Sequence, residues 1–327
     1  MKKKLLSILF TGLLAVFTAA CGTNSAAPAP AANATAATAA AQPGEEELTI
    51  KHQLGETKVK KNPQKVVVFD FGVLDSLDKL GVEVTGVPQN NIPAYLSKYK
   101  DSKYANVGGL KEPDFEKINE IGPDLIIISG RQQDSYEEFS KIAPTLYMAV
   151  DTSKYMESFT DNMKTLGQIF GKEAAVDEAL AQLNDTIKSV HEKVTATGKN
   201  ALIILANEGK VSAYGAGSRF GIIHDLLGFV PVDPNIEAST HGQSISFEYI
   251  AEKDPDYLFV IDRGAVVTTG NSSSPAKQVI ENDLVKQTKA YKDGHIVYLD
   301  PNYWYLSGGG LLSVQAMIDE VANSVKE

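Results

Sequence analysis

The sequence predicts an α/β protein of two similar Rossmann-like lobes joined by a long helix. Three observations lead there: short β-rich apolar runs alternating with helix-periodic segments, an internal repeat, and one proline-free helical stretch between the two copies. The repeat pairs Phe115-Glu-Lys-Ile-Asn-Glu-Ile-Gly-Pro-Asp-Leu-Ile-Ile-Ile-Ser-Gly-Arg131 with Phe247-Glu-Tyr-Ile-Ala-Glu-Lys-Asp-Pro-Asp-Tyr-Leu-Phe-Val-Ile-Asp-Arg263, at a constant offset of 132 residues. Each copy reads as amphipathic helix, Pro-Asp turn, buried strand and arginine. The carboxyl end of a strand in an open α/β sheet is where ligands bind.

In chain order, residues 1–20 read as a secretory signal peptide: Lys2, Lys3 and Lys4, an apolar stretch from Leu5 to Phe17, then Thr18-Ala19-Ala20. The apolar stretch is too short for a permanent spanning helix. Cys21, the sole cysteine, directly follows the small residues and cannot form an internal disulfide. Residues 21–46 are rich in Ala, Pro, Asn and Thr and read as a disordered tether. The first lobe spans 47–171, with strands at Lys65–Asp70, Val82–Val87, Leu125–Ser129 and Thr145–Val150, and helices at Leu74–Leu80 and Tyr155–Phe170. Residues 172–197 then form an interlobe helix of roughly 35 Å or more at 1.5 Å per residue. The second lobe, 198–327, has strands at Ala201–Leu205, Val211–Tyr214, Tyr257–Ile261 and His295–Leu299, and a closing helix Leu311–Val325.

The formal charge is −10, and loss of residues 1–20 with their three lysines takes it to −10 − 3 = −13. Such an acidic chain is a poor partner for nucleic acid or anionic lipid. Against that background the three arginines, Arg131, Arg219 and Arg263, stand out among 31 basic residues. Arginine provides a planar, always-charged fork of donors that lysine cannot. Three forks, two of them at one place in the repeat, point to a pocket for an anion.

No G-x-G-x-x-G, P-loop, G-x-S-x-G or H-E-x-x-H motif occurs, so the sequence offers no enzyme signature. The Gly308–Gly310 run follows an aromatic cluster and reads as a turn. His224 falls in the periodic Phe220–Leu227 and reads as a packed helix residue, while His52, His191 and His295 show no ligand spacing.

From about residue 47 to the C-terminus the chain resembles the helical-backbone substrate-binding lipoproteins of ABC importers that take up ferric siderophores, of the petrobactin and catecholate type. The likeness is carried by Asn62–Gly72, Pro123–Arg131, Gly217–His224, Thr240–Ser244, Val260–Arg263 and Tyr303–Gly310. It implies that Arg131, Arg219 and Arg263 line the floor of a site between the lobes, where an anionic ferric complex is the ligand and no cofactor is needed. It also implies that His241 and Tyr305, both expected in loops, ligate Fe³⁺ when a tetradentate siderophore leaves two positions open. Ferric iron favours anionic oxygen, and imidazole is an acceptable second ligand. Tyr303 is the competing candidate for Tyr305. Cys21 matches the lipidated cysteine of a lipobox, anchoring a monomer on the extracytoplasmic side of the membrane. Glu116 and Glu248, equivalent in the repeat, match the glutamates that dock such proteins on their permease. A haem- or corrinoid-binding protein of the same fold is the alternative.

Overall fold

A computed structural model describes residues 46–267 and 276–325; the signal segment, Cys21 and the tether lie outside the described residues. The first lobe holds a five-stranded parallel sheet in the order Ala105–Asn106, Gly86–Val87, Val66–Val68, Leu125–Ile128, Thr145–Tyr147. Its strands are apolar on both faces, as a sheet covered on both sides requires. Val67, Ile126 and Ile128 pack with Phe139 on one face, while Val66, Val68, Leu125 and Ile127 enter the main core on the other.

The second lobe's sheet runs Gln243–Ile245, Lys210–Tyr214, Asn200–Asn207, Tyr257–Asp262, Ile296–Leu299, with Val230–Pro231 also paired to Asn200–Asn207. Its last three strands in that order are parallel, and the first two join antiparallel. Leu202, Ile204, Leu258 and Val260 form a separate outer core, whereas Ala201, Ile203, Phe259 and Ile261 share the main core with the first lobe. One apolar cluster therefore ties both sheets together.

The repeat is literal in three dimensions. Helices Phe115–Ile121 and Phe247–Lys253 keep the 132-residue offset, with side-chain caps from Asp114 and Ser246 and left-handed ends at Gly122 and Asp254. Glycine suits that backbone; Asp254 adopts it at φ 45°. The strands that follow occupy the fourth position of each sheet.

Helices Tyr155–Phe170 and Glu173–Thr197 meet at Gly171. The second has 25 residues and buries Val176, Ala179, Leu180, Leu183, Val190 and Val194 along one stripe. Three expectations need correction. The Val82–Val87 strand shrinks to Gly86–Val87, and Thr145–Val150 to Thr145–Tyr147, because pairing partners extend only that far. An antiparallel hairpin, Glu47–His52 with Gly55–Lys60, precedes the first lobe's sheet and went unread; only Leu48, Ile50 and Val59 mark its inward face, among charged and polar neighbours on both strands. Tyr305 lies not in a loop but in a one-turn π-helix, Asn302–Ser307. Among the described residues no helix is long and apolar enough to cross a membrane.

Candidate functional site

Arg131 is the second residue of a 3₁₀ turn, Gly130–Ser135, at the carboxyl end of Leu125–Ile128, and Arg263 directly follows Tyr257–Asp262. Arg219 comes from the loop after Lys210–Tyr214, which is pinned by Gly217 N–H donating to Asp225 Oδ2 at 2.7 Å and by Ser218 Oγ donating to the Gly215 carbonyl. All three converge on Tyr305. Arg131 Nη2 and Arg219 Nη2 donate to its carbonyl at 2.7 and 2.5 Å, Arg131 Nη1 to the Leu306 carbonyl at 3.3 Å, and Arg263 Nε to its phenol oxygen at 2.8 Å. The guanidinium carbons lie 4.4 Å (Arg219), 5.7 Å (Arg263) and 5.9 Å (Arg131) from the centroid of the Tyr305 ring. Tyr305 and Leu306 stand in the last turn of the π-helix, where main-chain carbonyls lack an intrahelical donor and can accept from outside; π-turns concentrate at functional sites.

Like charges brought this close repel, and the surroundings do not neutralise them. Every ion pair among the described residues is made by a lysine, so no carboxylate lies within 4.0 Å of any of the three guanidiniums. Burial, then the charge of Arg131, pulls the Arg219 guanidinium down to about 10. Burial by itself would raise the Tyr305 phenol, but the hydrogen bond from Arg263 and the charges of Arg219, Arg263 and Arg131 outweigh it and hold the phenol below its ordinary value. The five hydrogen bonds found use only part of a set with five N–H donors on each guanidinium. The arrangement is a partly buried, positively charged cluster with donors to spare, suited to an anion that presents several oxygens.

Of the residues singled out in the sequence, Arg131, Arg219, Arg263 and Tyr305 come together. Tyr303 instead packs at a tilt against Tyr95, with ring centroids 4.6 Å apart and planes at 38°. The His241 residue is exposed, and among the described residues it forms no hydrogen bond with the arginine cluster; its main-chain N–H donates to Ser239 Oγ at 3.2 Å. Its neighbour Gly242 lies against the Tyr214 ring. Trp304 is buried with its indole N–H on Glu320 at 2.7 Å. His224 is 9 % exposed and bonded to the Phe229 carbonyl, His52 to Thr57, His191 to the Leu226 carbonyl, and His295 to the Asp256 carbonyl. Glu116 and Glu248 are exposed in the first turns of the two equivalent helices.

Two participants escaped sequence reading. Asn207 Oδ1 accepts from Arg263 Nη1 at 2.6 Å, and Phe220 lies under Arg219 at 5.2 Å. Asn207 ends the strand beside the one that delivers Arg263, so its place at a strand's carboxyl end was the available signal. The lobes also touch directly around the site: Asn91 Nδ2 donates to the Val266 carbonyl at 2.8 Å, and Thr152 Oγ1 to the Gly217 carbonyl at 3.1 Å.

Comparison with known proteins gives this geometry a context. Residues 66–303 match the family model described as periplasmic binding protein. The chain belongs to that family. It is 53 % identical to the petrobactin-binding protein YclQ of Bacillus subtilis, over 99 % of this chain and 100 % of that one. The crystal structure of YclQ superposes with a TM-score of 0.84, covering 86 % of this chain and 99 % of the other at 57 % identity. The ferric-anguibactin-binding protein FatB of Vibrio anguillarum is 34 % identical over 86 % of this chain and 88 % of its own. The periplasmic catecholate-siderophore binding protein VctP of Vibrio cholerae matches with a TM-score of 0.81 and 41 % identity, covering 85 % and 100 % of the two chains. These family members are binding proteins by name, in keeping with the absence of an enzyme motif from the sequence.

Proposed function

We propose that this periplasmic binding protein captures an anionic ferric siderophore, of the catecholate or petrobactin type, and delivers it to the permease of an ABC importer. The observation that carries the reading is the convergence of Arg131, Arg219 and Arg263, from both lobes, on one tyrosine, with no carboxylate among the described residues within 4.0 Å to neutralise them. A catecholate complex spreads negative charge over oxygens around the metal and can take up the uncommitted donors. Haem and corrinoids call for more apolar walls, and the relatives' names speak of siderophores, so that alternative is not favoured.

Within this reading Tyr305, whose phenol is already eased toward ionisation, is the first candidate for an iron ligand when a siderophore leaves positions open. His241 would have to turn in from its exposed position to supply the second. Glu116 and Glu248 face solvent at matching places on the two lobes and are assigned to permease docking. Cys21 is assigned to lipid attachment, holding a monomer at the extracytoplasmic face of the membrane by the tether; the lobe boundaries at 47–171, 172–197 and 198–327 complete the proposal. No catalytic step and no cofactor enter it.

The test is titration of the sole tryptophan's fluorescence with ferric petrobactin, a ferric bis-catecholate, haem and cobalamin. Saturable quenching by the ferric catecholates is expected, and quenching by haem or cobalamin alone would overturn the proposal.

A further inference from the structure

Among the described residues Asp75 is a carboxylate with no solvent exposure at all, and nothing in the arginine cluster touches it. It sits in helix Phe71–Lys79 of the first lobe, yet its partners lie at the far end of the chain. Leu312 N–H donates to Oδ1 and Ser313 N–H to Oδ2, both at 3.1 Å, so Asp75 caps the 14-residue helix Leu311–Ser324 from outside. Tyr95 OH lies 2.9 Å from Oδ2 and 2.6 Å from Ser307 Oγ, the last residue of the π-helix that carries Tyr305.

Other first-lobe groups hold the same stretch. Ser76 Oγ accepts from Leu311 N–H at 2.9 Å, and Tyr155 OH donates to the Gly308 carbonyl at 2.9 Å. Gly310 is pressed so close to the Gly72 carbonyl and to Asp75 that a Cβ there would fall 2.0 Å from each. Only glycine permits that approach. Residues 307–313 are thus fastened to the first lobe, and the turn just before them supplies the carbonyls that hold Arg131 and Arg219 and the phenol that holds Arg263. A buried carboxylate is a costly way to cap a helix when serine or asparagine would serve at a water-exposed end. A carboxylate accepts on both oxygens, from the helix start and beside Tyr95 at once, whereas an amide at position 75 would accept on only one.

We propose that Asp75, acting with Tyr95, is a positioning residue for the anion site: it fixes the Tyr305 turn against the first lobe and thereby sets where the guanidiniums converge. The proposal rests on the anion-binding reading above, and its test can be separated from that reading. Asp75→Asn would be made in the full chain and its fold checked by circular dichroism. In the ligand-free protein, the Tyr305 phenol would be titrated by ultraviolet absorbance, taking the difference from Tyr305→Phe to isolate it. The phenol is expected to move back up toward the ordinary tyrosine range in Asp75→Asn, because the turn no longer holds it among the arginines. Affinity for ferric petrobactin, followed by tryptophan quenching, should fall about tenfold, the scale of one charged hydrogen bond. Should Asp75→Asn not fold, Tyr95→Phe removes the hydroxyl that bridges Asp75 and Ser307 while leaving the helix cap in place, and should move both readouts in the same direction. A folded variant with the wild-type phenol titration and wild-type affinity would overturn the assignment. Failure of the wild-type protein to bind ferric petrobactin would count against the anion-site reading, and the ligand-free phenol titration would then decide the role of Asp75.

Discussion

Removing Arg263 is the perturbation with the best-defined consequences. Its Nε donates to the Tyr305 phenol at 2.8 Å and its Nη1 to Asn207 at 2.6 Å, so the fork is aimed before any ligand arrives. The hydrogen bond from Arg263 is the strongest influence lowering the Tyr305 phenol. Arg263→Ala should therefore change two quantities together. Affinity for ferric petrobactin should weaken by the worth of a charge-assisted hydrogen bond, about 1.5 to 3 kcal/mol, or about ten- to a hundredfold in Kd. The Tyr305 phenol should titrate at higher pH in the ligand-free protein. Arg263→Lys restores the charge but not the fork, and should recover only part of either effect. Tryptophan quenching measures the first quantity and ultraviolet difference titration the second. A Kd within twofold of wild type in Arg263→Ala, with an unmoved phenol, would refute the reasoning.

Arg219→Ala should weaken ligand binding on the same scale yet raise the melting temperature of the ligand-free protein, since burial and the neighbouring charge of Arg131 both disfavour its cation; a lower melting temperature would show that the cluster is held together rather than strained. Glu116→Ala combined with Glu248→Ala should abolish iron uptake by cells while Kd in solution stays at the wild-type value, and a drop in affinity would contradict a docking role. Burial pushes the Asp75 carboxyl up to about 7 from 3.8, so the folded state holds that proton more tightly than the unfolded chain does. Its contribution to stability is greatest at acid pH and is lost as pH rises from about 4 to 7, by at most about 4 kcal/mol. Thermal melts across that window should show wild type losing stability relative to Asp75→Asn, and parallel curves would contradict the burial argument.

Much of this was legible in the sequence because the signals are local. The 132-residue repeat located two equivalent helices, two equivalent strands and the positions of Arg131 and Arg263, and the structure keeps that register down to the helix caps. Helix Tyr155–Phe170 was readable from its period, and the end of the next helix from Gly198. Strand ends were not: Val82–Val84 alternates apolar and polar residues as a strand would, yet the bonds to Val66 and Ala105 begin only at Thr85. The π-helix around Tyr305 left no pattern either, because one widened turn has no periodicity to detect. The fastening of that turn by Asp75 and Tyr95 spans more than 200 positions of chain, and pairings of that range are decided by the assembled fold. His241 shows the limit from the other side: the resemblance assigns it to the metal, while its side chain here stands exposed, outside the arginine cluster.

The most direct measurement is a crystal structure of the protein with a ferric bis-catecholate bound. The account predicts the complex between the lobes, with Arg131, Arg219 and Arg263 each within about 3.2 Å of a ligand oxygen. A complex seated elsewhere, with the three guanidiniums still turned onto Tyr305, would contradict it.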